Sequence, residues 1–480
     1  MGQNHAPLGD HPSISPDLLP TKSEARTWKA GHFFSIWIGS VHNVPSYVTI
    51  GGFFALGMSI WQVFLVIMFS SLLLAVMMVL NGHAGSKYGI PFSILLRSSY
   101  GIKGSLFPGV LRGVIAAIMW FGLQTYAGSL AVTILIGKSW PGYLKLGGEF
   151  NFLGLNLPGL LSFLFFWLIN VLFIFAGMER LGKLTKIISP LVFVVFGGMA
   201  IWSINLAGGI SPILGYSAKG LEGNSFFIFL TCVSAIMATW VAQILSVTDL
   251  TRFSHSNKDQ SIGQISGLII TYLLFAVASI TIIVGSEIAF GVPIWNVLDV
   301  VERFDSKFAI VLSLMTICFS TLSVNIVGNI IPAGFQLTAL FPKKLNFRTG
   351  ALVATIIGIL IMPWKLMENP TSIFAFLNIV GGLLSPVIGI MLTHYFLICK
   401  KNINLQELYN TNGNRISNEI NLPAILATIF AGSISLMGNF VPFFAPLTSI
   451  SWFTGIFIAI PLYLVLYYAS KLFELKAIKE

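Results

Sequence analysis

Charged residues are scarce in this sequence. Only 9% of its 480 residues are Asp, Glu, Lys or Arg, whereas a soluble globular domain has about 25%. So little charge excludes a solvated surface for a chain of this size. The 55% hydrophobic content excludes a disordered chain and a nucleic-acid binder with a charged face. No nucleic acid is therefore expected among the partners, and the chain is expected to lie in a membrane.

Cysteines, a signal peptide and catalytic motifs are also missing. The three cysteines have no paired spacing, which excludes a disulfide framework and a cysteine-based metal site. Residues 1–30 are polar and lack the short apolar stretch of a signal peptide, so the first apolar run is expected to direct insertion. Without an HExxH motif, a GxSxG motif or paired carboxylates, an enzyme is not expected and no cofactor is implied.

Long apolar runs fill the rest of the chain. A membrane span needs roughly 20 apolar residues, and runs this continuous form helices rather than barrel strands. The sequence therefore predicts an all-α membrane protein with twelve transmembrane helices, called spans 1 to 12 below. The runs cover residues 33–58, 60–80, 106–136, 157–177, 187–209, 225–247, 264–289, 308–340, 350–364, 372–398, 422–441 and 447–470.

The distribution of positive charge predicts the orientation of the spans. With the N-terminus inside, 21 of the 27 Lys and Arg residues fall in cytoplasmic segments, as the positive-inside rule requires. Both termini are therefore expected to be cytoplasmic, in a bacterial cell membrane. This count places Arg112 with the loop before span 3. The exceptions in outer loops are Lys138, Lys145, Lys219, Arg303, Lys307 and Lys365.

Five regions follow from these spans. They are a cytoplasmic tail (1–30), a transport core of spans 1–10 (31–400), a cytoplasmic loop (401–421), spans 11–12 (422–470) and a C-terminal tail (471–480). Lys87 and Arg97 either bind membrane-lipid headgroups or simply fix the orientation. Asp249 and Arg252 are expected to form an ion pair at the inner end of span 6.

Two spans contain stretches that favour a break in the helix. In span 1, residues 39–46 include Asn43 and Pro45, and proline removes a backbone donor and disfavours helix before it. In span 6, residues 238–243 are small or polar but include no proline. Interrupted helices five spans apart indicate a transporter built from inverted repeats, spans 1–5 and 6–10. The alternative for span 1 is a proline kink packed against a neighbouring helix.

Spans 3 and 8 occupy matching places in these repeats, and each has a polar pair at helical spacing. Trp120 and Gln124 lie on one face of span 3, and Asn325 and Asn329 lie on one face of span 8. Amides at this depth seldom face lipid. They either join helices through hydrogen bonds or line a binding site together with Trp240 of span 6.

A site made of indoles and carboxamides favours one class of ligand. A charged ligand would need a counter-charge in a pocket of low dielectric constant, and the predicted site has no Asp, Glu, Lys or Arg. Side-chain amides donate and accept hydrogen bonds and so match the N–H/C=O edge of a lactam or ureide. Indole faces stack on flat rings. The expected ligand is a small, neutral, planar heterocycle with amide groups.

Several motifs resemble the nucleobase–cation symporter-1 family, which includes bacterial hydantoin transporters and allantoin, uracil and cytosine permeases. The resemblance runs from about Trp28 to the end of span 10, and the stretch at residues 41–47 is most similar to allantoin permeases. It implies the leucine-transporter-like 5+5 inverted repeat, with broken spans 1 and 6 and two added C-terminal helices. The motifs are NGHAGSKYGIPF at 81–92, RSSYG at 97–101, WFGLQT at 120–125 and DLTRF at 249–253.

The resemblance also implies site residues. Trp120 and Trp240 would stack on the two faces of the ring, and Gln124 and Asn329 would hydrogen-bond its edge. Further residues are implied near the ligand: Asn43, which would reach a ureido tail, the backbone at Thr239, and Asn325.

A sodium site is implied with one departure from the family pattern. Its ligands would be the carbonyls of Gly39, His42 and Ser320 and the hydroxyl of Ser323. Val324 stands where the family usually has a second hydroxyl, and losing an oxygen ligand weakens a cation site. Coupling to Na⁺ or to H⁺ therefore stays open, with His42 either the one titratable group at that depth or a neutral, hydrogen-bonded side chain.

The function predicted from these residues is a secondary active transporter that imports a ureide, most of all allantoin, by alternating access. A hydantoin, uracil or cytosine permease is the alternative within the family. A membrane-embedded enzyme and a channel are remote alternatives, because catalytic pairs and carbonyl-filter motifs are absent.

Overall fold

A computed structural model gives the fold. It describes residues 14–176, 178–367, 370–409 and 419–477, with side chains in these ranges except 176, 178–186, 366–367, 370–374 and 474–477. Parts of the predicted tails (1–30 and 471–480) and of the predicted loop (401–421) therefore lie outside the described residues.

The described chain is helical throughout. Ten of its helices are long and apolar enough to cross a membrane. In lipid a helix pairs its own backbone groups, which explains why such apolar sequences fold in this way. These ten helices are spans 2 to 8 and 10 to 12: Ile60–Tyr88, Leu106–Ser139, Leu157–Ala176, Met178–Leu206, Ser225–Thr251, Asn257–Phe290, Lys307–Leu340, Pro370–Leu392, Leu422–Leu436 and Ser451–Ala477.

The other two predicted spans are also helical. Span 1 consists of two helices, Ala30–Val41 and Val44–Ala55, and span 9 is the shorter helix Phe347–Leu360. The predicted all-α membrane fold is therefore confirmed. The break in span 1 lies where the sequence placed it, because Asn43 caps the second helix and Pro45 stands in its first turn.

Span 6 differs from the prediction. Residues 238–243 are regular helix, and the helix continues from Ser225 to Ser246. The interruption lies further on, at Val247, before a short helix at Thr248–Thr251. Residues 238–243 contain no proline to remove a backbone donor, so the helix continues through them and the predicted position was wrong.

The spans pack in two groups. Spans 1 and 2 pack on span 7, span 2 packs on span 6, and spans 3, 4, 8 and 9 pack on one another. Span 5 contacts spans 1, 7 and 8, while span 10 joins span 6 to spans 11 and 12. This is the implied division into a bundle (spans 1, 2, 6 and 7) and a scaffold (spans 3, 4, 8 and 9).

One end of the protein gathers the segments predicted to be cytoplasmic, and we call this end the N-terminal face. Residues 15–28 lie across it, where Trp28 N–H donates to Phe253 O (3.0 Å) and Tyr409 hydroxyl donates to Leu18 O (2.7 Å). Lys87 and Arg97 donate to loop carbonyls at this face. The polar N-terminal tail is thus packed from residue 14 onward.

Arg252 holds that segment in place. Its guanidinium donates to Leu19 O (2.6 Å), Asp17 O (3.2 Å) and Thr21 Oγ1 (2.8 Å). Burial lowers the pKa of Arg252 from its ordinary value, and the charge of Asp249 opposes this change. The predicted Asp249–Arg252 pair is therefore a longer-range attraction, while the hydrogen bonds of Arg252 go to the N-terminal segment.

Candidate substrate site

A chain of buried amides links spans 3, 4 and 8. Asn325 Nδ2 donates to Thr125 Oγ1 (3.0 Å) and Asn170 Oδ1 (3.1 Å). Asn329 Nδ2 donates to Asn325 Oδ1 (2.9 Å), and all four side chains are almost fully buried. Asn325 therefore bonds protein groups and orients Asn329, rather than presenting a free amide to a ligand. Sequence reasoning missed Asn170, although a lone Asn in an otherwise apolar span was the available signal.

Three polar atoms near this chain have no partner. They are Asn329 Oδ1, Gln124 Oε1 and Trp120 Nε1, each buried without a hydrogen bond. Gln124 is next to the Asn325 acceptor Thr125, and Trp120 lies one helical turn before Gln124. A buried polar group without a partner costs roughly 1–3 kcal/mol. Two acceptors and a donor left open together are what a ligand with an N–H/C=O edge would satisfy.

Trp120 and Trp240 each pack against aromatic neighbours. The Trp120 ring meets Phe376 of span 10 edge-on, with 5.1 Å between centroids. Trp240 contacts Trp37 in the same manner at 5.8 Å, and its ring centroid lies 6.3 Å from that of Tyr272. The structure thus gives each indole its own aromatic support. Phe376, Trp37 and Tyr272 were missed because aromatic residues are common throughout these spans.

Two cavities adjoin the region. Thr239 and Trp240 border a space of about 10 Å³ between spans 1, 6 and 7, which is too small for a heterocycle. A much larger cavity, about 890 Å³, opens beneath the N-terminal segment. Ile326 and Ile330 of span 8 line it, next in sequence to Asn325 and Asn329. The large cavity therefore reaches span 8 from the N-terminal face, while Asn325 and Asn329 themselves do not line it.

Arg112 is the largest correction to the sequence analysis. It was counted with a loop, yet it is fully buried within span 3. Its Nε donates to Ala242 O of span 6, and its Nη2 donates to Gly328 O of span 8 (2.7 Å) and Ser246 Oγ (2.8 Å). The guanidinium thus ties three spans together, one residue away from Asn329. The local sequence gave no sign of it, because one Arg at the end of an apolar run usually faces water.

Asp249 balances this buried charge. It is the one carboxylate that is buried among the described side chains, and its charge acts on Arg112. Asp249 Oδ1 accepts a hydrogen bond from Phe92 N–H (2.8 Å), and Oδ2 has no partner. Asp249 also attracts Arg252, so that one carboxylate faces two guanidinium groups, and the backbone carbonyls bonded by Arg112 share in stabilising its charge.

The motif at residues 81–92 joins span 2 to the end of span 6. Asn81 Nδ2 donates to the carbonyls of Ile244 and Leu245 (3.0 Å for the latter), which lack helical partners because span 6 is interrupted at Val247. A side chain at Gly85 would collide with the Thr251 hydroxyl, so only glycine permits this close packing.

The implied cation site does not fit the residues present. The hydroxyl of Ser320 lies within hydrogen-bond distance of both Gly39 O (2.7 Å) and His42 O (2.8 Å), the two span-1 carbonyls assigned to the ion. Ser323 Oγ is buried without a partner. The single O–H of Ser320 donates to one of these carbonyls at a time and Val324 supplies no oxygen, so no transport step is derived through sodium.

Asn43 is also occupied by protein groups. Its Oδ1 accepts hydrogen bonds from Ser46 N–H (3.2 Å) and the Ser46 hydroxyl (3.1 Å). Its Nδ2 donates to Ser40 O (3.0 Å) and Val41 O (3.3 Å). Asn43 therefore closes the break in span 1, and both ends of its amide are already used.

These features define a class of protein. The architecture is that of a secondary transporter, with membrane-spanning helices, one span broken at mid-length and unpaired hydrogen-bonding atoms on the neighbouring scaffold.

Comparison with known proteins agrees with this class. Residues 20–455 match the family described as "Permease for cytosine/purines, uracil, thiamine, allantoin". The chain belongs to this family, whose members are permeases rather than enzymes.

Individual relatives cover nearly the whole chain. A "Putative allantoin permease" of Escherichia coli (strain K12) is 52% identical over 94% of both chains. An allantoin permease of Bacillus subtilis (strain 168) is 45% identical over 94% of this chain and 92% of its own. A solved structure with the same fold is Mhp1, a nucleobase-cation-symport-1 family transporter in a closed conformation with bromovinylhydantoin bound. The two structures match with a TM-score of 0.79 at 23% identity, over 95% of both chains.

Proposed function

We propose that this chain imports allantoin, a neutral ureide, across the bacterial cell membrane by alternating access, with its N-terminal face in the cytoplasm. The relatives named as allantoin permeases support the substrate. The excess of Lys and Arg in the loops of that face supports the orientation.

One observation carries the proposal: the open atoms of Trp120, Gln124 and Asn329 on facing spans. A ureide offers N–H donors for the two amide oxygens and a carbonyl for the indole N–H. Arg112 donates to protein acceptors through Nε and Nη2, its Nη1 is buried without a partner, and the charge of Asp249 acts on it, so that a neutral ligand needs no counter-charge. Binding would replace unsatisfied polar atoms by hydrogen bonds and so favour ligands with this edge.

The cavities suggest how alternating access proceeds. The cavity of about 890 Å³ lies on the side of the N-terminal face, with Ile326 and Ile330 in its wall. The space at Trp240 is closed to about 10 Å³. Movement of the bundle relative to the scaffold would open one side while closing the other.

Uptake into proteoliposomes tests the proposal. Purified protein should accumulate labelled allantoin, and Trp120→Ala and Asn329→Ala should each abolish accumulation. Trp140→Ala is the matched control, because Trp140 lies exposed beyond the end of span 3. Wild-type uptake by both site variants would contradict the site, while absence of uptake by the unmodified protein would contradict the substrate.

A hydantoin or nucleobase permease is the second candidate, and the fold shared with a hydantoin-bound transporter favours including it. Hydantoin, uracil and cytosine should therefore be tested as competitors of labelled allantoin. Allantoin should compete best. Stronger competition by hydantoin, uracil or cytosine would contradict allantoin as the substrate but would still support a transporter function.

A further inference from the structure

Gln243 is an open amide that the site as described above does not use. It lies in span 6 one helical turn after Trp240, and its Oε1 is buried without a hydrogen-bond partner. Its helical neighbours Val241, Ala242 and Ile244 are buried, but Gln243 itself is only partly covered. The Gln243 side-chain oxygen is thus buried and unpaired, while the residue as a whole is less covered than its helical neighbours.

Its amide lies against the residue before Asn329. A β-carbon built on Gly328 would come within 2.8 Å of Gln243 Nε2, so the glycine makes room for this amide. Gly328 O is held by Arg112, which also bonds the carbonyl of Ala242. Gln243, on the bundle, therefore lies beside the scaffold residue that precedes Asn329.

The number of unpaired hydrogen-bonding atoms distinguishes two kinds of ligand, unsubstituted hydantoins and rings with a ureido substituent. Gln124 Oε1, Asn329 Oδ1 and Gln243 Oε1 are three unpaired acceptors, and Trp120 Nε1 and Arg112 Nη1 are unpaired donors. An unsubstituted hydantoin ring has two N–H groups, which Gln124 and Asn329 can accept. A ureido substituent adds further N–H donors, and these require another acceptor.

Asn43 is not available for that purpose. Its oxygen and nitrogen are both committed to the break in span 1, through Ser46 and through Ser40 and Val41. A ureido tail reaching Asn43 would have to uncap the second helix of span 1, whereas Gln243 loses no protein contact.

We propose that Gln243 accepts the ureido N–H groups of the substrate and selects ureido-substituted rings over unsubstituted hydantoins. This inference rests on the proposed function and assigns a specificity role within it.

Binding of two ligands to the full-length purified protein tests the role. Allantoin and hydantoin are titrated separately by calorimetry into wild type, Gln243→Met and Gln243→Asn. Losing a hydrogen bond from a buried donor corresponds to roughly a ten- to hundredfold weaker affinity. We expect that loss for allantoin with Gln243→Met, a smaller loss with Gln243→Asn, and unchanged hydantoin affinity for both.

Gln336→Met is the matched control. Gln336 Oε1 is likewise buried without a partner, but it lies two turns beyond Asn329 and packs on Gly109 and Gly113. It should not change the ratio of the two affinities. The inference would be overturned if the Gln243 variants changed the affinities for allantoin and hydantoin equally, or changed neither. In that case allantoin binding by the wild type would still support the proposed function. A wild type that binds neither ligand would overturn both.

Discussion

Spans 1 and 6 are the two helices expected to break, and they satisfy their freed carbonyls in different ways. Span 1 breaks at Asn43, whose own amide bonds the carbonyls of Ser40 and Val41. Span 6 runs on to Ser246, and the carbonyls at its end are bonded by Asn81 of span 2 and Arg112 of span 3. One interruption is capped locally, and the other is capped by distant helices.

The difference shows which interruptions a sequence reveals. An Asn followed two residues later by Pro carries both the cap and the missing donor, so the break in span 1 is written in adjacent residues. The end of span 6 depends on side chains more than 100 positions away. No local pattern identifies it. The same contacts bind bundle to scaffold, which makes Arg112 the most informative place to perturb.

The largest expected effect is at the remote cap. Arg112→Ala removes three buried hydrogen bonds of a charged group and one of the two guanidinium charges that act on Asp249, which should lower the free energy of unfolding by about 3–5 kcal/mol. Thermal unfolding of the purified protein in detergent measures this, and allantoin uptake should be lost with it.

The double variant Arg112→Leu/Asp249→Leu separates charge balance from packing. Replacing both members of a buried pair by apolar residues is often close to neutral, so it should recover most of the stability. If the double variant is no more stable than Arg112→Ala, Asp249 does not balance Arg112.

A smaller effect is expected where span 8 supports the break in span 1. Ser320→Ala leaves the carbonyls of Gly39 and His42 without their shared donor, at a cost of roughly 1–3 kcal/mol. Ser323→Ala is the control on the same helix, because Ser323 Oγ has no partner to lose. Equal destabilisation by both variants would show that the Ser320 hydrogen bonds are not what stabilises the break.

The local cap itself should contribute less. Asn43→Ala and Asn43→Ser both free the carbonyls of Ser40 and Val41, but Asn43→Ser retains a capping oxygen for Ser46 N–H and should be more stable than Asn43→Ala by about 1 kcal/mol. Allantoin and hydantoin affinities should fall together, since Asn43 acts on the helix and not on one ligand. If only the allantoin affinity fell, Asn43 would be assigned to binding of the ureido tail instead.

The same contrast between local and remote contacts explains what could be predicted. Apolar length and loop charge predicted every span, and helical spacing predicted that Asn325 and Asn329 share a face. Spacing could not predict that Asn325 would be used up by Thr125 and Asn170, which leaves only Asn329 open. The surroundings of Arg112 and Gln243 depend on how spans 3, 6 and 8 pack, which the local sequence does not show.

The smallest expected effect concerns sodium. Ser320 serves both span-1 carbonyls in the position implied for the ion, and a cation stabilises a protein only if it binds the folded state. Replacing Na⁺ by choline should therefore leave wild-type uptake and Tm unchanged. In Ser320→Ala the oxygens of Gly39, His42 and Ser323 all lack a donor, so Na⁺ should raise the Tm of this variant alone. If wild-type uptake requires Na⁺, the hydrogen bonds of Ser320 to these carbonyls must break during transport. The break in span 1 would then change conformation during the cycle rather than stay fixed.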